Sequence, residues 1–144
     1  MMDTNVPNWD LYFMGIAESV KIRSKDPNTK VGAVVVNPER IIIGTGYNGM
    51  PPGWPQHEEA KLWDRPIKYD YVVHAEMNCI LHAHSPVRGC TLYVTLFPCK
   101  ECIKLVASSG IKRIVYANAG AYENDITKKV CDLSQISLEK MVIP

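Results

Sequence analysis

No uninterrupted apolar run in the 144 residues approaches the roughly 20 that a helix needs to cross a bilayer. Charge of one sign is not in excess: 16 basic against 15 acidic side chains leave a formal +1, which is no footprint for nucleic acid. Repeats and low-complexity tracts are absent. The opening stretch MMDTNVPNWD has no basic segment followed by an apolar core, so no secretory leader is expected. The five cysteines (Cys79, Cys90, Cys99, Cys102 and Cys131) are odd in number, which argues against a disulfide framework. The expectation is a cytoplasmic protein with reduced thiols and no nucleic-acid or membrane partner. In a reducing compartment, two cysteines three apart read as metal-binding or redox-active.

Apolar residues make up 47% of the chain, enough for a proper core, and the length fits a single domain over 1–144. Residues 9–24 put Leu11, Met14, Ala17 and Ser19–Val20 roughly on one helical stripe. Pro27 and the turn formers around it end that helix. VGAVVV (31–36) and RIIIGTG (40–46) flank NPE and read as a hairpin. Their continuous apolar character points to a sheet covered on both faces. The stretch 47–70 holds Pro51, Pro52, Pro55 and Pro66 and reads as a long loop with one helical turn near 58–63. Loops of that length in compact domains are usually functional. A helix over 74–84, a strand over 91–96, a helix over 99–109 ended by Gly110 and a strand over 112–117 follow. The tail adds a short helix near 125–133 and an edge strand over 140–143. The predicted fold is α/β: a three-layer α-β-α sandwich on a mixed five-stranded sheet.

Two stretches carry chemistry. YVVHAEMNCIL, from Tyr71 to Leu81, has His74 and Glu76 at the mouth of an apolar run. Carboxylates are rarely buried uncompensated, so the pair either sits at a solvated helix start or does chemistry. In TLFPCKECIKLV, Phe97 and Pro98 turn the chain and Cys99 opens a helix, with Cys102 on the same face. The free N–H groups and positive end of a first turn favour thiolates there. Two thiolates are half of a tetrahedral zinc site. Helix starts can lie side by side at one sheet edge, so His74, Cys99 and Cys102 can converge on one ion. Zinc with three protein ligands keeps a place for water and lowers its pKa. Glu76 is about 200° round an ideal helix from His74, so only at a helix start can both reach one pocket. A carboxylate there can carry protons between water and substrate.

His74-Ala75-Glu76 followed by Pro98-Cys99-Lys100-Glu101-Cys102 matches the signature of zinc nucleobase deaminases. RSKDPNTKVGAVVVN, GTGYNGMPPG, YVVHAEMNCIL and LFPCKECIKLV, in that order, resemble the deoxycytidylate (dCMP) deaminases of the zinc-dependent cytidine/deoxycytidylate deaminase family, over roughly residues 10–117. The resemblance implies a cytidine deaminase-like fold and one Zn2+ per chain. It implies hydrolytic deamination of dCMP to dUMP with release of ammonia, which supplies dUMP for thymidylate synthesis. His74, Cys99 and Cys102 correspond to the zinc ligands. Glu76 corresponds to the proton shuttle serving N3 and the 4-amino group of the pyrimidine. The Ala75 and Cys99 amides would help hold the base. Asn48 corresponds to an asparagine that approaches the sugar, and Gly46 and Gly49 beside it suit close backbone approach. For the phosphate, the donor-rich segment of Arg23, Ser24, Lys25, Asn28, Thr29 and Lys30 is the candidate. Family regulation implies activation by dCTP and inhibition by dTTP, with Gly46, Tyr47 and Gly49 as effector contacts and Mg2+ accompanying a triphosphate. A dimer-based homo-oligomer, up to a hexamer, is a further implication; dCMP alone and dCMP with dCTP both stay open as substrates, since the sequence does not place Arg23, Lys25 and Lys30 around a phosphate.

Blander readings compete. A redox pair at Cys99 and Cys102 would not need His74 and Glu76. Asn48 could serve a plain turn, and the 23–30 charges a solvated face. Cys79, Cys90 and Cys131 read as packing thiols, and His82 and His84 as helix-end residues. His57, His82, His84 and the spare cysteines form no obvious second set of four ligands. Competing functions are another zinc nucleobase deaminase, acting on cytidine, cytosine or tRNA adenosine, and a non-catalytic zinc module. The near-zero charge argues against the tRNA substrate. A non-catalytic module has no need of Glu76.

Overall fold

A computed structural model describes residues 5–119 and 122–142. Helix α1 (Trp9–Val20) starts on Asn8, whose side chain accepts from the Leu11 amide at 2.8 Å and satisfies one free N–H group of the first turn. It continues as a 3-10 turn over Lys21–Arg23. Its buried face is Phe13, Met14 and Ala17. Ser19, placed on the apolar stripe by spacing, instead turns outward, and its hydroxyl donates to the Gly15 carbonyl.

Strands β1 (Gly32–Val36) and β2 (Ile42–Tyr47) form the expected hairpin. The Asn37 side chain closes its turn by accepting from the amides of Glu39 and Ile41. The long loop holds a short helix, α2 (Gln56–Glu59), with 3-10 turns over Ala60–Leu62 and Ile67–Asp70. Helix α3 (Ala75–Leu81), strand β3 (Thr91–Leu96), helix α4 (Lys100–Ser108), strand β4 (Arg113–Asn118), helix α5 (Asp125–Leu133) and strand β5 (Ser137–Lys140) follow. The five strands lie in the order β2-β1-β3-β4-β5. β1 is antiparallel to β2 and β3, whereas β4 is parallel to β3 and β5, so the sheet is mixed.

Alternation along the strands divides the core. Val34, Val36, Tyr93, Val115 and Ala117 pack with Phe13, Met14 and Ala17 of α1. Ala33, Val35, Leu92, Val94, Ile114 and Tyr116 point the other way, toward Ala75 and Cys79 of α3 and Ile103 and Val106 of α4. Helices therefore cover both faces, and every residue of β1 is buried, which is why it reads as an unbroken apolar run. Among the described residues no helix is long and apolar enough to cross a membrane.

Two expected boundaries move. α3 stops at Leu81 rather than 84, because the chain leaves the helix to donate the His84 amide to the Ile43 carbonyl at 2.8 Å. The last strand lies at Ser137–Lys140 rather than 140–143. Gln135 takes a φ of 57° and Ile136 is buried, which turns the chain onto β4 three residues early. Ile143 lies outside the described residues.

One polar cluster ties α1 to the parallel strands. Arg113 donates to Asp10 at 2.9 and 2.7 Å and to Glu139 at 2.8 and 2.9 Å. The Tyr93 hydroxyl donates to Asp10 at 2.6 Å. The guanidinium holds both carboxyls below their ordinary range. A carboxyl depressed on folding stabilises the fold above its unfolded pKa, and that contribution is lost as pH falls through the folded value. Asp10→Asn should therefore cost about 1 kcal/mol at neutral pH, allowing for partial exposure. The gap to wild type should close as pH drops below about 4. Urea unfolding across that range reads the gap, and a gap independent of pH would place the energy elsewhere.

Candidate active site

α3 lies against the bare backbone of β2. A Cβ on Gly46 would stand 2.3 Å from the Cys79 nitrogen and 2.5 Å from the Ala75 carbonyl oxygen, and one on Gly44 would stand 2.8 Å from the Cys79 oxygen. Only glycine admits so close an approach. The entry to α3 is pinned as well. Gly49 and Val73 exchange both backbone bonds, at 3.0 and 2.9 Å, and the Asn78 side chain donates from Nδ2 to the Tyr47 carbonyl at 2.9 Å. His74 then stands at the N-cap with ψ of 158°, and Glu76 falls in the first turn.

The second helix start is anchored independently. Beyond β3 the Phe97 amide donates to Asn118 at 2.7 Å, and Pro98 leads to Cys99 at the N-cap of α4. The Cys99 sulfur accepts from the Cys102 amide at 3.3 Å. The Thr127 hydroxyl of α5 donates to the Pro98 carbonyl at 2.9 Å. Both starts thus open at the carboxyl ends of the sheet's parallel strands, where open α/β sheets bind ligands.

His74 Nδ1 lies 3.0 Å from Cys102 Sγ and 3.4 Å from Cys99 Sγ, and all three ligand atoms fall within 4.8 Å of one another. The Cys99 thiol is pushed down to about 4, first by its hydrogen bond with Cys102 and then, against burial, by His74. The bond to Cys99 in turn raises His74. Cys102 is pushed up by Cys99 and by burial. Burial pushes the Glu76 carboxyl up to about 7. Without a cation this cluster cannot hold two thiolates beside a buried carboxylate. An imidazole and two thiols at this spacing fit a zinc ion, and its charge would compensate them.

A cavity of about 250 Å³ opens onto these groups. His74, Glu76 and Cys99 line it together with an apolar wall of Val31, Val72, Leu96 and Phe97. Asp26, Thr29, Asn48 and Lys68 form a polar wall. Arg65, Tyr69 and Tyr122, all exposed, stand at its mouth.

Of the residues read from the sequence, His74, Cys99, Cys102 and Glu76 converge. Asn48 lines the cavity, but its side chain is engaged by the chain: it accepts from the Val31 amide at 2.8 Å and donates to the Thr29 carbonyl at 2.9 Å and to Asp26 at 3.3 Å. Ala75 is buried at the start of α3. Of the 23–30 donors only Thr29 reaches the cavity. Ser24 is buried against the Asn48 carbonyl, Lys25 pairs with Glu59 at 3.2 Å, and Arg23, Asn28 and Lys30 are exposed. Gly46 is covered by α3, whereas Tyr47 is exposed and Gly49 half-buried. The sequence reading missed Asp26, Arg65, Lys68, Tyr69 and Tyr122. No motif marks them, although two cations in a long loop next to YDYVV were a signal.

A two-cysteine, one-histidine site with a buried glutamate at paired helix starts is the mark of a hydrolytic zinc deaminase. The family model for the cytidine and deoxycytidylate deaminase zinc-binding region matches residues 7–118, and the chain belongs to that family. It is 46% identical to the deoxycytidylate deaminase of Homo sapiens over 125 residues, covering 81% of this chain and 68% of that protein. It is 42% identical to the deoxycytidylate deaminase of Mycobacterium phage D29 over 125 residues, 76% of this chain and 94% of that one. Among solved structures, the dCMP deaminase of cyanophage S-TIM5 in complex with dCMP and dUMP superposes with a TM-score of 0.76 at 27% identity, covering 98% and 100% of the two chains.

The α3–β2 contact yields a test. Gly46→Ala should destabilise the protein by at least about 2 kcal/mol, since its Cβ meets backbone that cannot step aside. It should also weaken metal retention by displacing His74. Gly49→Ala, whose Cβ would meet only the Tyr47 ring at 3.6 Å, should be near neutral. Thermal melts with bound-metal analysis decide it, and equal effects at the two glycines would refute the packing argument.

Proposed function

We propose that the protein deaminates dCMP hydrolytically to dUMP with release of ammonia, using zinc held by His74, Cys99 and Cys102. The observation that carries this reading is the place of Glu76. Glu76 is only 4% exposed, yet it opens onto the same cavity as His74 and Cys99. The deoxycytidylate deaminases of human and phage origin support the choice of substrate, as does the dCMP-bound relative.

Zinc, when bound, would supply a water acidified enough to act as a nucleophile at neutral pH. The remaining steps belong to the chain. Glu76 accepts the proton of that water and delivers it to N3 of the cytosine, which makes C4 electrophilic. Once the water oxygen has added to C4, Glu76 takes its remaining proton and passes it to the 4-amino nitrogen, so that the C4–N bond breaks, ammonia leaves and C4 keeps the oxygen as a carbonyl. Val31, Leu96 and Phe97 give the base an apolar slot, and Phe97 is held edge-on by Tyr116 with ring centroids 5.0 Å apart. The Ala75 and Cys99 amides belong to helix starts, where N–H groups lack intrahelical acceptors, and serve the charge developing on the ring. Asn48, braced by Val31, Thr29 and Asp26, shapes the seat of the sugar.

Activation by dCTP with Mg2+, inhibition by dTTP and assembly into a homo-oligomer extend the proposal through the resemblance. Tyr47 and Gly49, at the outer end of β2, are the effector candidates.

Glu76→Gln should lower ammonia release from dCMP by about 10³-fold or more and still bind one zinc per chain. Turnover within about tenfold of wild type would remove Glu76 from the mechanism. Zinc-loaded wild-type protein that releases no ammonia from dCMP would refute the substrate assignment.

A further inference from the structure

A phosphate needs a cation that is not already neutralised. The 23–30 segment does not bring one to the cavity. Arg23 and Lys30 do not line it, and Lys25 is occupied by Glu59. Lys68 does line it and is only 4% exposed, but its Nζ sits 2.7 Å from Asp26 Oδ2. Asp26 accepts further bonds from the Asn28 amide at 2.8 Å, the Thr29 amide at 3.1 Å and Asn48 Nδ2 at 3.3 Å. Drawing Lys68 away to a ligand would leave that buried carboxylate without its counter-charge. The pair therefore acts as a neutral unit.

Arg65 is the remaining cation. It is exposed at the cavity mouth, and among the described residues it makes no ion pair. Its side chain donates from Nη2 to Thr29 Oγ1 at 3.4 Å, a long contact that leaves most of the guanidinium donors free. We propose that Arg65, with the Thr29 hydroxyl beside it, seats the 5′-phosphate of the substrate and so selects nucleotide over nucleoside. This rests on the dCMP reading above. The guanidinium fork presents parallel N–H groups to two phosphate oxygens, and the threonine hydroxyl adds a third donor. A seat at the mouth leaves the phosphate partly hydrated while the base extends inward to Glu76.

The test compares dCMP with deoxycytidine in wild type, Arg65→Ala and Arg65→Lys. The ratio of kcat/KM for dCMP to that for deoxycytidine should fall about 10- to 100-fold in R65A, mostly through KM, with partial recovery in R65K. The affinity ratio of dUMP to deoxyuridine, measured by calorimetry, should fall by a similar factor and needs no turnover. An unchanged ratio in R65A would overturn the proposal. So would equal losses on nucleotide and nucleoside, which mark a structural role. A fall confined to Arg23→Ala or Lys30→Ala would return the phosphate to the 23–30 segment. Wild-type protein inert toward dCMP would instead refute the reaction, while the dUMP comparison would still test Arg65.

Discussion

α3 rests directly on the backbone of β2, and the position of His74 and Glu76 depends on that contact. With glycine at 44 and 46 the helix lies closer to the strand than any side chain would permit. His74 caps its start and Glu76 rides on its first turn. Cys99 and Cys102 ride on α4, which is fixed by the sheet through Phe97 and by α5 through Thr127. Each helix start is thus hydrogen-bonded to the end of a strand. The separation of nitrogen from sulfur is therefore inherited from strand spacing, which is how a ligand set stays in place before a metal arrives.

The second constraint is charge. The polar wall of the cavity is organised by Asp26, whose carboxylate gathers two backbone amides, the Asn48 side chain and the Lys68 ammonium. The amides and Lys68 outweigh the effect of burial and keep Asp26 ionised. A buried ion pair contributes little net stability once desolvation is counted. Its effect here is to join the 26–31 segment to the loop that precedes α3. That explains why a compact domain carries a connection as long as 48–74: it supplies Arg65, Lys68, Tyr69 and Val72 to the cavity.

Much of this was legible in the residues. The hairpin, the covered sheet and the alternating helices and strands follow from periodicity and turn chemistry. The convergence of His74, Cys99 and Cys102 beside Glu76 follows from the spacing of His74-Ala75-Glu76 and Pro98-Cys99-Lys100-Glu101-Cys102. The cationic lining of the cavity did not, for a physical reason. Arg65 and Lys68 sit in a loop without periodicity, and whether a lysine is free or paired depends on tertiary neighbours. Lys25 looked available and is held by Glu59. Gly46 was legible as a site of close approach, but what comes close is α3. The final strand was displaced because a left-handed turn at Gln135 leaves no pattern in hydrophobicity.

Zinc-edge X-ray absorption on the zinc-loaded protein tests the central claim most directly, namely that two helix starts build one three-ligand site. The account predicts one zinc per chain with two sulfur ligands at about 2.3 Å and one imidazole nitrogen near 2.0 Å, leaving one position for a non-protein ligand. Three or more sulfurs, which would recruit Cys79, Cys90 or Cys131, or a zinc without a histidine ligand, would contradict it.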